Sequence, residues 1–197
     1  MKIGIDIDDT LSNIKEQINI QAFNYALKLN KSVSFYNGKI FNYENLYRNI
    51  YKLDDNEIKY FISNIHEEIT NMAVPREGAI EVIQKLKNES HQIYIITSRS
   101  FKYHNDPYML SKKWLDKNGI KYDKLIVNAD NKLDICKNEN IDIFIDDLVK
   151  NCVLLKDNGI YAININDYDE KNNEIFYADN WYKIYEIIYQ LSEERRN

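Results

Sequence analysis

The chain has 197 residues, of which 44% are hydrophobic, and its formal net charge is −5. The length and apolar content allow one full hydrophobic core with a modest insertion, while the acidic balance argues against a nucleic-acid polymer as partner. No apolar run approaches the roughly 20 residues that a membrane-spanning helix needs, and residues 1–11 lack a basic-then-apolar leader, so the sequence predicts a soluble, cytoplasmic protein.

The first predicted element is a short buried strand that ends in an acidic turn. Residues 2–5 form a mostly apolar run, and Asp6 and Asp8 follow it two residues apart. Carboxylates this close raise one another's pKa unless a cation lies between them, and a site of oxygen ligands alone favours Mg²⁺. The turn therefore predicts a magnesium site, with Asp6 as nucleophile and Asp8 as acid/base. The competing interpretation is that Asp8, Asp9 and Thr10 cap the next helix, which suits Asp9 best.

Residues 13–74 are predicted to be a helical insertion between the first two strands of the sheet. Apolar residues recur at helical spacing over residues 14–29 and again over residues 58–69, where Asp54 precedes the helix as a cap. Residues 31–45 form an irregular stretch between these helices. The alternative is that these helices join the core as one more layer.

From Pro75 onward, helices and strands alternate along the chain. Pro107 suits the first turn of a helix, and Gly119 suits the residue just beyond its end. Alternation of this kind is typical of an α/β fold with a parallel sheet covered by helices on both faces. The predicted strands are residues 93–96, 122–127, 141–145 and 160–165, and the predicted helices are residues 79–86, 107–118, 132–138, 149–156 and 181–191.

Later strands also end in polar residues. Thr97 and Ser98 follow the second strand, Asp146 and Asp147 follow a later one, and Lys132 opens the short helix before it. If the strands are parallel neighbours, these residues converge at one edge of the sheet, where open α/β sheets bind their ligands. The alternatives are a strand-end hydroxyl, a solvated lysine and helix caps, although an aspartate after a buried strand is costly without a partner.

Taken in order, these motifs resemble the haloacid dehalogenase-like (HAD) phosphohydrolase superfamily. The resemblance covers roughly residues 1–151. It consists of Asp-x-Asp-x-Thr from Asp6, a strand ending in Thr97, a lysine at Lys132, and Asp-Asp-x-x-x-Asn from Asp146. Asp9 departs from the pattern, since the family more often has glycine there.

The resemblance implies a Rossmann-like catalytic core of residues 1–12 and 75–197, with residues 13–74 as a helical cap over the site. It also implies that Mg²⁺ is the cofactor, that Asp6 forms an aspartyl-phosphate and that Asp8 protonates the leaving oxygen. The implied metal ligands are Asp6, the backbone carbonyl of Asp8, and Asp147, which is favoured over Asp146 because it lies four residues before Asn151. The implied phosphate-binding residues are Thr97, Ser98 and Lys132.

The loop over residues 97–104, followed by Lys112-Lys113-Trp114, more loosely resembles the 5'(3')-deoxyribonucleotidase-like branch. That branch implies a small phosphorylated substrate, a nucleoside monophosphate. The candidate substrate-binding residues are Arg99, Lys102 and the aromatic residues Phe35, Tyr36, Phe41 and Tyr43, which could either sandwich a base or pack within the cap.

Two other functions remain open at this point. One is a phosphatase for another small ester, such as a sugar phosphate, and the other is a non-catalytic regulator that binds phosphate or Mg²⁺. The sequence also leaves open the base and sugar preference, and whether the chain works alone or as a homodimer.

Overall fold

Parallel strands form the centre of the computed structural model, which describes residues 1–34, 46–102, 104–165 and 175–195. The strands are β1 (Lys2–Ile5), β2 (Gln92–Ile96), β3 (Lys124–Ile126), β4 (Ile143–Asp146), β5 (Tyr161–Ile165) and β6 (Phe176–Ala178). The helices are α1 (Ile14–Lys28), α2 (Asp55–Asn64), α3 (His66–Met72), α4 (Ala79–Asn88), α5 (Pro107–Lys117), α6 (Lys132–Glu139), α7 (Val149–Asp157) and α8 (Trp181–Glu194), with a single π-helical turn at Leu46–Ile50.

The strand order β3-β2-β1-β4-β5-β6 places β1 between β2 and β4. Ile5 is in register with Ile95 on one side and with Ile145 on the other. The segments that follow these three strands therefore emerge side by side, at the point where the strand order reverses. This confirms the predicted α/β fold with a parallel sheet, and it is the place where such sheets bind ligands.

Helices cover both faces of the sheet, as the alternation predicts. One face packs against α4, α5 and α8 in a core that includes Trp114 and Trp181. The other face packs against α6 and α7 through a smaller core around Phe144. Gly4 is required on this second face, because a Cβ atom built there would lie 2.4 Å from Cδ2 of Phe144.

The first three helices after β1 have a hydrophobic cluster of their own. It is formed by α1, the π-helical turn, α2 and α3, and includes Ile14, Tyr47 and Phe61. Asp54 begins α2 as the sequence predicts: its Oδ1 accepts hydrogen bonds from the backbone of Asn56 and Glu57, both at 3.0 Å. The helix predicted over residues 58–69 is interrupted, however, since α2 ends at Asn64 and α3 begins at His66.

Two tryptophans attach neighbouring segments to the core through their ring nitrogens. Trp114 Nε1 donates to the carbonyl of Ala73, just after α3, at 2.8 Å. Trp181 Nε1 donates to the carbonyl of Thr10, within the acidic turn, at 3.1 Å. None of the helices in the described ranges is long and apolar enough to cross a membrane.

Candidate active site

The polar ends of β1 and β4 bring three carboxylates together at the carboxyl edge of the sheet. The backbone N–H of Asp6 donates to the carbonyl of Ile145 at 3.1 Å, which extends the pairing of the two strands by one residue. Ligand oxygens of Asp6, Asp146 and Asp147 all lie within 4.8 Å of one another. Because these groups are buried or half-buried, their negative charges repel strongly and call for a cation.

Lys132, at the start of α6, supplies one positive charge to this cluster. Its Nζ lies 2.9 Å from Asp6 Oδ1 and 2.6 Å from Asp146 Oδ2. Burial raises the pKa of Asp6 to about 7, and the neighbouring Asp146 and Asp8 add to this effect, although Lys132 opposes it. Burial disfavours the charged form of Lys132, but Asp6 and Asp146 outweigh it and raise the pKa of the lysine. Lys132 is therefore an ammonium ion that only partly neutralises three carboxylates.

Asp146 and Asp147 differ in how their carboxylates are held. Asp146 is fully buried and accepts hydrogen bonds from Leu148 N at 2.8 Å, from Asn151 Nδ2 at 2.9 Å, and from Lys132. Asp147 is half-buried, and among the described residues its carboxylate accepts no hydrogen bond. Burial raises the pKa of Asp147 well above its ordinary value, and Asp146 and Asp6 add to this.

Asp8 forms a two-point ion pair with Arg99, which follows β2. Arg99 Nε donates to Asp8 Oδ2 at 3.0 Å, and Nη2 donates to Oδ1 at 2.6 Å. Burial raises the pKa of Asp8, but the guanidinium of Arg99 outweighs it and the pKa falls below its ordinary value. Asp8 is thus an ionised carboxylate held in one orientation.

Arg99 is itself fixed within the core, with only 4% of its surface exposed. Its backbone N–H donates to Thr97 Oγ1 at 3.3 Å, and Asn128 N donates to its carbonyl at 2.8 Å. Its Nη1 has no hydrogen-bond partner among the described residues. Of the three nitrogens of the guanidinium, two are thus engaged by Asp8, and one remains for another acceptor.

Two histidines lie close to each other and interact electrostatically with this ion pair. The rings of His66, on α3, and His104, after β2, lie 5.4 Å apart between centroids. Burial lowers the pKa of both, and in His104 His66 and Arg99 help to lower it to about 4. Both imidazoles are therefore neutral at neutral pH. No sequence motif links them, since they are 38 residues apart and each stands alone in its segment.

The remaining predicted site residues fall into three groups. Thr97 is buried and accepts from Arg99, whereas Ser98 is exposed and its Oγ donates to the carbonyl of Ala129 at 3.1 Å. Lys102 is exposed in the same loop. The aromatic residues Phe35, Tyr36, Phe41 and Tyr43 lie outside the described residues.

Asp9 has a φ of +59°, in the left-handed region that favours glycine. This conformation accounts for the glycine that the HAD pattern more often has there. The carboxylate of Asp9 also accepts a hydrogen bond from Lys15 N at 2.9 Å, in the first turn of α1. Asp9 therefore has the helix-capping contact that the alternative interpretation assigned to it.

Similarity to known proteins shows which family the chain belongs to. The family model described as 5' nucleotidase, deoxy (pyrimidine), cytosolic type C protein (NT5C) matches residues 1–194. The chain belongs to this nucleotidase family. Nucleotidase CA_C3379 of Clostridium acetobutylicum is 27% identical to it over 200 residues, which cover 98% of this chain and 96% of that protein.

Solved structures show that this nucleotidase has the fold of the HAD-superfamily hydrolases. A haloacid dehalogenase-like family hydrolase from Streptococcus pneumoniae superposes with a TM-score of 0.68 at 14% identity, covering 95% of this chain and 97% of that one. A HAD-superfamily hydrolase from Ehrlichia chaffeensis gives a TM-score of 0.56 at 17% identity, covering 96% of each chain. The resemblance drawn from the motifs is thus confirmed, and the nucleotidase is a phosphatase-type enzyme.

Proposed function

We propose that this protein hydrolyses nucleoside monophosphates in a Mg²⁺-dependent reaction that passes through an aspartyl-phosphate on Asp6. The observation that carries the proposal is the buried cluster of Asp6, Asp146 and Asp147 with Lys132, at the switch point of the sheet. Asp8, a fourth carboxylate, follows Asp6 in the same turn and is paired with Arg99.

The residues of this cluster fit a hard divalent cation. All the donors are oxygens, which Mg²⁺ prefers. When all three carboxylates are ionised, the single ammonium ion of Lys132 leaves an excess of negative charge that a divalent cation would offset. Asp6, Asp147 and the backbone carbonyl of Asp8 would hold the ion, with Asp146 kept beside them by Lys132 and Asn151. A bound Mg²⁺ would neutralise charge between the phosphate and the attacking carboxylate.

The phosphate group would be bound by the residues that follow β2 and β3. Lys132 is a point charge that can attract the phosphate while its contact with Asp6 Oδ1 orients the nucleophile. Thr97 and Ser98 lie at the end of the strand next to β1. The hydroxyl of Thr97 would donate a hydrogen bond to a phosphate oxygen, and Ser98 would do so only by releasing the carbonyl of Ala129.

The reaction would proceed in two balanced steps. A carboxylate oxygen of Asp6 attacks phosphorus and the phosphorus–oxygen ester bond breaks. Asp8, which would have to open its ion pair with Arg99 and take up a proton as substrate binds, gives that proton to the leaving alcohol. Water then attacks the aspartyl-phosphate, its proton passes to Asp8, and Asp6 is regenerated as inorganic phosphate leaves. In the structure Arg99 holds both carboxylate oxygens of Asp8, and release of this pair would let Asp8 carry the proton.

We further propose that residues 13–74 are a cap over this site. Their separate hydrophobic cluster supports this, as does the meeting of His66 with His104. The two free, buried cysteines, Cys136 and Cys152, support a reducing compartment such as the cytoplasm.

Changing Asp8 to asparagine should impair the enzyme most on substrates with poor leaving groups. Loss of the proton donor should lower kcat/KM for a nucleoside monophosphate by about 10²-fold or more, since general acid catalysis contributes that much. The effect on p-nitrophenyl phosphate should be much smaller, because a nitrophenolate leaves without a proton. Steady-state kinetics on both substrates would measure the difference.

The matched control for Asp8→Asn is Asp142→Asn. Asp142 also pairs with an arginine, Arg195, at 2.6 Å, but its backbone N–H bonds to Lys2 O at the opposite end of β1. This control should leave both activities unchanged. Equal losses of kcat/KM on the two substrates in Asp8→Asn would contradict the assignment of Asp8 as the acid, whereas kcat should fall on both because Asp8 also takes the proton of the attacking water.

A substrate panel tests the nucleotidase part of the proposal. Nucleoside 5'- and 3'-monophosphates, especially deoxy ones, should have higher kcat/KM than sugar phosphates. Base stacking on an aromatic side chain is worth about 1–3 kcal/mol. Alanine at a true stacking residue among Phe35, Tyr36, Phe41 and Tyr43 should therefore lower kcat/KM for nucleoside monophosphates about tenfold. If sugar phosphates are the better substrates, only the general phosphatase function survives.

A further inference from the structure

Asn164 lies at the carboxyl end of β5, directly beside the turn that follows β4 and holds Asp146 and Asp147. It is fully buried and is the register partner of Asp146. Its Nδ2 donates hydrogen bonds to two consecutive backbone carbonyls, those of Asp146 at 3.0 Å and Asp147 at 2.9 Å. A single side chain thus spans the peptide that joins the two aspartates.

The orientation of the Asn164 amide follows from its partners. Both contacts are carbonyl oxygens, which only accept hydrogen bonds, so the NH₂ group must face them. The reversed amide would place Oδ1 against two oxygens and lose both bonds. Cys152 adds a weaker contact to the same turn, since its Sγ lies 3.7 Å from the carbonyl of Asp146.

The two aspartates depend on this turn to different degrees. The carboxylate of Asp146 is held by its own hydrogen bonds to Lys132, Leu148 and Asn151. The carboxylate of Asp147 accepts none among the described residues, yet it lies within 4.8 Å of those of Asp6 and Asp146. Its position relative to Asp6 is therefore set by its backbone, which Asn164 fixes.

We infer that Asn164 is a positioning residue for the divalent metal site, holding the peptide from which the Asp147 carboxylate projects. The inference rests on the proposed function, which makes Asp147 a metal ligand. Partners that orient metal ligands without touching the ion commonly matter to affinity. A leucine at this position would keep a similar volume and lose both donors.

The test is Mg²⁺ binding to Asn164→Leu, measured by isothermal titration calorimetry without substrate. Loss of such a partner typically weakens metal binding by about 10–100-fold, and we expect a loss in this range. The Mg²⁺ concentration for half-maximal hydrolysis of p-nitrophenyl phosphate should rise in parallel, whereas kcat should recover at saturating Mg²⁺. A merely structural role would lower kcat or the melting temperature without this selective shift.

Two further variants calibrate the result. Asn118→Leu is the matched control, because Asn118 Nδ2 likewise donates to a backbone carbonyl, that of Trp114, at 2.8 Å. Asn118 follows α5 and is not part of the turn that holds Asp146 and Asp147. It should leave Mg²⁺ affinity unchanged. Cys152→Ala should have a smaller effect than Asn164→Leu, because Asn164 still holds both carbonyls.

The outcomes separate this inference from the proposed function. If the wild-type protein does not bind Mg²⁺, the proposed metal-dependent function fails. If the wild type binds Mg²⁺ and Asn164→Leu binds it equally well, the positioning role of Asn164 is overturned. Should the leucine variant fail to fold, Asn164→Ser replaces it. Its hydroxyl can donate to only one carbonyl, and unchanged Mg²⁺ affinity in that variant would equally overturn the role.

Discussion

Asp6→Asn is expected to reduce kcat by roughly 10³-fold or more, the scale seen when a catalytic nucleophile is removed. An amide oxygen is a poor nucleophile at phosphorus, and the change also removes the carboxylate that faces Lys132 Nζ at 2.9 Å. Side-chain size is unchanged, so the fold should persist. Hydrolysis of p-nitrophenyl phosphate measures the loss, and circular dichroism checks the fold.

Asp123→Asn is a suitable control for this loss. The carboxylate of Asp123 accepts a hydrogen bond from the backbone N–H of Ile93 at 2.7 Å and pairs with Lys87, as Asp6 pairs with Lys132. Asp123 lies, however, at the amino end of β2 and β3. Its replacement should leave kcat unchanged. Retention of more than a few per cent of wild-type activity by pure Asp6→Asn protein would exclude Asp6 as the nucleophile.

Removal of divalent metal with EDTA is expected to abolish turnover, and Mg²⁺ should restore it. Three carboxylates share one ammonium ion in this cluster, and a phosphate monoester brings about two further negative charges. Without a divalent cation, repulsion would keep the substrate from Asp6. Activity after chelation and after readdition of MgCl₂ measures the effect.

A binding readout accompanies the chelation experiment. Mg²⁺ at about 100 times its Kd should raise the melting temperature by about 5–10 °C, from the mass-action stabilisation of a chain of this size. Ca²⁺ should not restore activity, because its larger and looser coordination does not reproduce that of Mg²⁺. Full activity in metal-free buffer would refute the metal-dependent mechanism.

Much of the fold follows from local patterns in the sequence. Short apolar runs at β1, β2 and β4 predicted a parallel sheet, and the structure confirms it. Asp54 and Pro107 begin helices where their capping and φ preferences place them. The edge strand β6 was not predicted, because its three residues are too few for a periodic signal. The predicted strand at 122–127 is likewise shorter, Lys124–Ile126.

The sequence by itself thus determined the class of fold, its switch point and the acidic residues that meet there. Each of these depends on residue type and on spacing along a short segment. Tertiary structure alone decided which polar groups contact one another. It pairs Arg99 with Asp8, 91 residues away, and His66 with His104. It also places Asn164 against the carbonyls of Asp146 and Asp147. Such pairs have no local period, because the packing of separate strands and helices creates them.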